Sequence, residues 1–263
     1  VVCADLVHKG EADAFVSAGH SGAAMVASLF RMGRIKGVVR PAIATPMPTY
    51  KGVSLLLDGG ANADCKPLHL LQFAVMGSAY MEKVFDLKSP SVRILSIGEE
   101  ETKGNFLVKH TIPHMREIGV NFQGTLEGRD VNTGETDVIV CDGFVGNIVL
   151  KMAEGLSKTI INMIKREVKK RPLAILGALL AKGAFSAVKK HTNPDQYGGA
   201  PLVGVNGVAI ISHGKSNEVA IFNALKTAKR LVEKNFVGDI AARVAALKDT
   251  FCAIEAEMQE EEK

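Results

Sequence analysis

Val53-Ser54-Leu55-Leu56-Leu57-Asp58-Gly59-Gly60-Ala61-Asn62 is a nearly unbroken apolar run that stops at an acid, two glycines and an amide. A short apolar run without polar alternation predicts a strand covered on both faces, here over residues 53–57. Downstream, Leu70, Leu71, Ala74, Gly77, Ser78, Met81, Val84 and Phe85 keep the 3–4 spacing of one helix stripe, and Asp64 and Pro67 are start signals. That predicts a helix over 67–85. Strand, glycine turn and helix in succession form the unit of an α/β fold.

The same unit recurs. Its loops are Ser17-Ala18-Gly19-His20-Ser21-Gly22, then Gly98-Glu99-Glu100-Glu101 with Lys103-Gly104-Asn105 behind it, Asp142-Gly143-Phe144-Val145-Gly146-Asn147, and Ser212-His213-Gly214-Lys215-Ser216. Further strands are predicted over 14–17, 42–45, 92–97, 122–126, 138–141 and 208–212, and further helices over 21–32, 105–116, 146–170, 216–235 and 237–257. The stretch around Pro41, Pro46 and Pro48 reads as a rigid loop or crossover. In a doubly wound sheet the carboxyl ends of parallel strands share one edge, so these loops are expected to converge on one ligand. Close-approaching backbone N–H groups at glycine turns and helix N-termini suit an anion such as phosphate.

A length of 263 residues with 47% apolar content supports a single α/β domain over 1–263, and no low-complexity linker or solenoid repeat interrupts it. Cys3, Cys65, Cys141 and Cys252 are widely spaced, which indicates neither a disulfide framework nor a zinc site and fits a reducing cytoplasm. The chain opens at Val1-Val2-Cys3-Ala4-Asp5 with no visible signal peptide and reads as a fragment beginning inside a helix.

The net charge is only +4, yet Lys165, Arg166, Lys169, Lys170, Arg171, Lys182, Lys189 and Lys190 face a single acid, Glu167, within one stretch. Inside that stretch Leu173, Leu176, Leu180, Ala184 and Ala187 fall on one helical stripe that Ile175 and Leu179 widen. A basic amphipathic excursion is therefore expected at about 165–195, too short to span a bilayer and suited either to an anionic membrane surface or to a dimer contact. The patch has no interleaved aromatics, which argues against nucleic acid. Glu255, Glu257, Glu260, Glu261 and Glu262 read as a solvated helix end.

Asp58-Gly59-Gly60-Ala61-Asn62-Ala63-Asp64-Cys65-Lys66-Pro67, Ile97-Gly98-Glu99-Glu100-Glu101, Glu127-Gly128-Arg129-Asp130, Cys141-Asp142-Gly143-Phe144-Val145-Gly146-Asn147 and the run Tyr197-Gly198-Gly199-Ala200-Pro201 through Gly207 together resemble the bacterial acyl-ACP:phosphate acyltransferases of the PlsX type. The resemblance covers nearly the whole chain. It implies a three-layer α/β/α sandwich with a mostly parallel sheet, like isocitrate and isopropylmalate dehydrogenases, a homodimer, and peripheral attachment to the membrane from the cytoplasm. It also implies a reaction in which inorganic phosphate attacks the thioester of a fatty acyl carrier protein, with no cofactor and no metal. Two departures stand out: the Asp-Ala-Met-Gly-Gly-Asp strand with which family members begin is not found, and His20 and Ser21 stand where Asn and Thr are common.

Acyl transfer to phosphate needs a held nucleophile and donors for the oxyanion. Lys103 as a mobile point charge and Arg129 as a bidentate fork are the candidate phosphate partners, with surface ion pairing as the ordinary reading of each. Asn62, Asn105 and Asn147 can hold phosphate or the thioester oxygen, or simply cap turns and helices. Asp142 is the candidate proton carrier, and it can equally orient Lys103 or a backbone N–H. Gly19, His20, Ser21, Asp58 and Gly143 complete the expected phosphate-binding set. Lys169, Lys170, Leu176, Leu180 and Lys182 are expected to touch the membrane or the acidic carrier protein. Cys141 ends an apolar strand without an adjacent His and reads as a buried thiol. The alternatives are a metal- and nicotinamide-dependent dehydrogenase of the same fold group, or a non-catalytic scaffold binding carrier protein or membrane.

Overall fold

The computed structural model describes residues 1–261, so Glu262, read above with the C-terminal acids, lies outside the described residues. In chain order the elements are α1 (Val2–His8), β1 (Ala14–Ser17), α2 (Ser21–Arg31), β2 (Ala42–Ile43), β3 (Thr45–Thr49), β4 (Gly52–Leu57), α3 (Pro67–Phe85), β5 (Ser91–Ser96) and α4 (Phe106–Thr111). A 3-10 turn (Pro113–Arg116), β6 (Asn121–Glu127), β7 (Val138–Val140), α5 (Gly143–Lys169), α6 (Pro172–Leu180) and α7 (Lys182–His191) follow. A second 3-10 turn (Pro194–Tyr197), β8 (Ala200–Val203), β9 (Val208–Ile211), α8 (Glu218–Glu233), α9 (Phe236–Ala246) and α10 (Lys248–Glu261) complete the described chain.

Two mixed sheets stand where the sequence reading places one mostly parallel sheet. One has the order β1-β9-β8-β2 and the other β3-β4-β7-β5-β6. The parallel pairs are β1 with β9, β4 with β7, β7 with β5, and β5 with β6. The antiparallel pairs involve β2, β3 and β8. The division falls within the proline stretch: β2 lies inside the strand expected over 42–45, while the residues around Pro46 and Pro48, expected as a loop or crossover, form β3, so that one of these strands stands at the edge of each sheet, where a missing N–H is tolerated. Between them the Ala44 N–H donates to the Pro201 carbonyl at 2.9 Å.

α3 is buried along almost its whole length, including Leu70, Leu71, Phe73, Met76, Tyr80 and Met81. A helix apolar on every side belongs in the middle of a core. Its cluster takes in Leu55 and Leu57 of β4, Ile94 of β5 and Val140 of β7, and also Val208 and Ile210 of β9 from the other sheet. Packing around α3 therefore joins the two sheets, together with hydrogen bonds between Ile43 of β2 and the loop that follows β4, where the Gly59 N–H donates to the Ile43 carbonyl at 2.8 Å. The expected continuous helix over 237–257 is divided at Leu247 into α9 and α10, a break that the apolar periodicity does not mark.

The 165–195 excursion is an arm made of the end of α5 followed by α6 and α7. The single stripe expected across it is interrupted, because α6 and α7 meet at 67° at Ala181. Ala181 is followed by Lys182 and then by Gly183, the poorest helix former after proline. α6 carries no charge, and the lysines lie outside it, so each helix presents its own face. No helix among the described residues is long and apolar enough to cross a membrane alone, although the bent pair α6–α7 passes by length and composition.

Candidate active site

Because β4, β7, β5 and β6 are parallel neighbours, Asp58, Asp142, the Gly98–Asn105 segment and Arg129 leave one edge of the five-stranded sheet in that order. The first two loops are joined directly. The Asp58 N–H donates to the Cys141 carbonyl at 2.9 Å, the Cys141 N–H to Leu57 at 2.8 Å, and the Gly143 N–H to Asn62 at 2.7 Å.

Asp58 is fully buried, and its carboxylate is consumed by its own surroundings. Oδ1 accepts from the N–H groups of Ile43 (2.9 Å), Gly60 (3.1 Å) and Ala61 (3.0 Å), and Oδ2 from the Asn62 N–H (2.7 Å) and the Asn62 side-chain amide (2.9 Å). The Asn62 amide also donates to the Pro41 carbonyl at 2.7 Å. Asp58 and Asn62 are two of the residues expected at the phosphate. Both are spent inside the loop, where satisfied buried groups hold a backbone turn in shape.

Asp142 is the N-cap of α5, with Oδ1 accepting from the Val145 N–H at 2.8 Å. Its other oxygen receives no hydrogen bond among the described residues. The first turn of the helix lies bare against the Asp58 loop. A Cβ on Gly143 would lie 2.7 Å from both Asp58 Oδ2 and the Asn62 carbonyl, and one on Gly146 would collide with the Asp58 carbonyl. Glycine is required at both positions by close approach, and the Gly143 N–H is already used by the Asn62 carbonyl. Asn147 remains exposed and lies beside Gly60.

On the next strand, Asn105 Oδ1 caps α4 by accepting from the Val108 N–H at 3.0 Å. Asn105 and Asp142 line the same cavity, together with Ser96, Ile97 and Gly104. Lys103 is exposed and forms no ion pair among the described residues, while its stem lies over Gly98. Arg129 is different: Glu99 (3.4 Å), Glu127 (3.4 Å) and Asp130 (3.6 Å) surround its exposed guanidinium. The Glu99 carbonyl is fixed by the Thr125 hydroxyl at 2.6 Å, and Glu101 pairs with Arg116.

The Gly19-His20-Ser21 turn follows β1 in the other sheet and lies next to the His213 loop, where the Ser212 N–H donates to the Ser17 carbonyl at 2.8 Å. His20 caps α2, its Nδ1 accepting from the Ala23 N–H at 3.2 Å. No hydrogen bond or ion pair among the described residues links this pair of loops to the Asp58, Asn105 and Asp142 group. The five glycine loops therefore divide into a group of three and a pair. On the arm, Leu176 and Leu180 are exposed, Lys169 and Lys182 carry no ion pair among the described residues, and Lys170, Arg166 and Arg171 all turn to Glu167.

Two thiols border the joined loops. Burial pushes Cys65 up to about 12, with the Asp58 and Asp142 carboxylates adding to it. Cys141 is likewise held well above its ordinary value by burial and then by Asp142 and Asp58. Neither is a thiolate at neutral pH, so neither offers an acyl-enzyme nucleophile. His69, at the start of α3, is pulled down to about 4 by burial and then by the cations Arg40 and Lys66. Sequence reasoning passed over these two cations, whose only local signal is that each precedes a proline. It also passed over Leu95, Leu107 and Val145 around the cavity, because apolar positions on a strand or helix read as core.

Glycine turns and a long helix start at the carboxyl edge of parallel strands define an α/β enzyme of the phosphotransacetylase fold. Two solved structures share it: a phosphotransacetylase from Staphylococcus aureus (TM-score 0.52, 16% identity, covering 92% of this chain and 66% of that one) and a branched-chain phosphotransacylase from Enterococcus faecalis V583 (0.52, 14%, covering 87% and 77%). The chain belongs to the family described as fatty acid synthesis protein, whose profile matches residues 1–238. Among its relatives, the phosphate acyltransferase of Elusimicrobium minutum is 62% identical over 97% of this chain and 75% of its own length. That of Desulfitobacterium hafniense strain DCB-2 is 53% identical over 91% of this chain and 72% of its own.

Proposed function

We propose that the protein transfers a fatty acyl group from acyl carrier protein to inorganic phosphate, giving acyl phosphate for phospholipid synthesis. The observation that carries this reading is the 62% identity to a phosphate acyltransferase over nearly the whole chain. A phosphate oxygen attacks the thioester carbon, the carbonyl oxygen becomes an oxyanion, and the carbonyl re-forms as the C–S bond breaks. The leaving sulfur takes up the proton that hydrogen phosphate loses. Phosphate is already ionised at neutral pH, so position and oxyanion donors carry most of the acceleration.

Lys103 is the favoured phosphate partner because no carboxylate competes for it, whereas Arg129 has three acids to leave. Asp142, anchored through Oδ1, has its second oxygen available to relay the proton to sulfur. The exposed amide of Asn147 is assigned to the oxyanion. Asp58, Asn62 and Gly143 build the wall that holds α5 in place, and Asn105 fixes the facing loop. Gly19, His20 and Ser21 belong to the other pair of loops and are given no part in this step.

The shared apolar core supports reading 1–263 as one domain of the three-layer, isocitrate dehydrogenase-like kind. The uncharged, exposed α6 between basic flanks supports peripheral attachment to an anionic membrane from the cytoplasm, and the exposed Ile160, Ile161, Met163 and Ile164 in the second half of α5 support a homodimer. The test is phosphate-dependent release of thiol from palmitoyl carrier protein, with acyl phosphate trapped by hydroxylamine. Thiol release that needs phosphate is the expected result; release that ignores phosphate, or none, overturns the reading.

A further inference from the structure

Beside the Asp142 cap, the edge of the five-stranded sheet opens into a cavity of about 150 Å3. Its apolar walls are Leu70, Leu95, Leu107, Val108 and Val145. The polar residues that share it are already engaged with backbone: Ser96 Oγ donates to the Lys103 carbonyl, Asn105 Oδ1 accepts from Val108, and Asp142 Oδ1 accepts from Val145. Apart from the second Asp142 oxygen, the side-chain oxygens that share the cavity have partners, so a wall that is mostly aliphatic carbon suits an apolar ligand. An enclosed apolar cavity of about 150 Å3 takes a six-carbon apolar ring, so a recess of the same volume that opens to the surface has room for about six carbons.

The surroundings of the mouth point the same way. Ile97 lines the cavity yet is 81% exposed, and Phe106 and Phe144, each next to a lining residue, are also exposed. Ile148 and Met152 continue the exposed apolar surface of α5 at successive steps of four residues, which keeps them on nearly one face. An apolar hole with an apolar rim, opening next to a free carboxylate oxygen, matches a molecule with one polar reacting end and a long hydrocarbon tail.

We propose that this cavity seats the carboxyl-proximal part of the acyl chain, about six carbons, with the reacting carbonyl at Asp142 and the remaining tail over Phe144, Ile148 and Met152. The assignment rests on the acyl-transfer reading and deepens it, making Leu107 and Val145 the residues that set the response to chain length. Both are half-buried at the cavity wall, so a larger side chain there takes up space that the ligand would use.

The chain has no tryptophan, so Phe144→Trp at the rim supplies a single reporter. Titration of this variant with n-decylphosphonate is expected to shift its emission to the blue with saturation, and methylphosphonate is expected to leave it unmoved. Adding Leu107→Phe to the reporter is expected to weaken the decylphosphonate response tenfold or more, and Val145→Phe gives the same comparison should the first variant fail to fold. In turnover, the ratio of decanoyl to butanoyl carrier protein is expected to fall tenfold or more in the blocked variants. An active parent whose ratio and emission response are both indifferent to the blocking substitutions overturns the cavity assignment and leaves the reaction standing. A parent inert toward both thioesters defeats the reaction instead, and the decylphosphonate titration then decides the cavity alone.

Discussion

The Asp58–Asp142 junction and the α5–α7 arm belong to consecutive parts of one chain and are built on opposite principles. At the junction every polar group of Asp58 has a partner, and two glycines let helix backbone touch loop backbone. On the arm, Leu173, Leu179, Leu180 and Phe185 stand in solvent, and α6 and α7 bury nothing. The base of the arm is tied by His191 Nε2, which donates to the Thr49 carbonyl at 2.6 Å, and by little else that is polar. A region whose interactions are complete tolerates almost no change, whereas an apolar surface left open is stable only as far as its own helices hold it and is available for a partner to cover.

The largest effect is expected at the junction. Asp58→Ala leaves several buried N–H groups without acceptors, at about 1–3 kcal/mol each before relaxation, so a total loss of about 4 kcal/mol or more is expected in urea unfolding. A variant that unfolds like its parent would break the contrast at its strong end. Next comes pH. His69 is neutral in the folded protein with its pKa depressed to about 4, so its contribution is complete above the unfolded value of about 6.5 and is lost as pH falls toward 4. Stability should therefore drop by on the order of 2 kcal/mol between pH 7 and pH 4.5, and His69→Asn should flatten that limb; parallel acid limbs for the two proteins would remove His69 from the account.

Asp142 sharpens the comparison by dividing its two tasks. Asp142→Ala removes the cap and should cost about 1 kcal/mol. Asp142→Asn keeps an acceptor for the Val145 N–H, so its stability should stay near that of the parent while turnover falls roughly a hundredfold, the scale of a lost proton relay. Equal turnover in the Asn variant and the parent would return Asp142 to a capping role alone. The smallest effect on stability is expected on the arm, where Leu176→Gln with Leu180→Gln should alter unfolding by less than about 0.5 kcal/mol. The same pair should strongly reduce sedimentation with anionic liposomes, and Lys169→Gln with Lys170→Gln should make the remaining binding less sensitive to salt. Undiminished liposome binding in both pairs would mean that the arm is not the membrane contact.

The parallel strands were the legible ones. β1, β4, β5, β7 and β9 are largely apolar runs recognised within a residue or so of their observed ends, because a strand packed against helices has little polar face to disguise it, and the edge strand β6 was placed equally well despite its polar residues. The antiparallel β3 and β8 were not, although β2 falls within the strand expected over 42–45. Pro46 and Pro48 in β3 and Pro201 in β8 look like loop residues, and only their place at a sheet edge or strand start makes them compatible with pairing. The glycine loops were legible as loops, but the side chains within them were not legible as contacts. Asp58 and Asn62 have the composition of an anion site, yet their side chains are taken up inside the loop, since a carboxylate can accept from five donors at once only where the tertiary fold delivers Ile43 from a strand of the other sheet.

By itself the amino-acid sequence determined the repeated strand–glycine–helix unit, the long buried α3, the basic and apolar arm, and the family to which the chain belongs, since each is written in local periodicity or in ordered motifs. The tertiary structure alone decided that there are two sheets, that three glycine loops assemble while the other two pair elsewhere, and that an apolar cavity opens beside Asp142. The reason is one of range. Spacing along the chain fixes which face of a helix or strand is apolar, but which loop meets which depends on strand order, and strand order is set by packing between residues far apart in sequence.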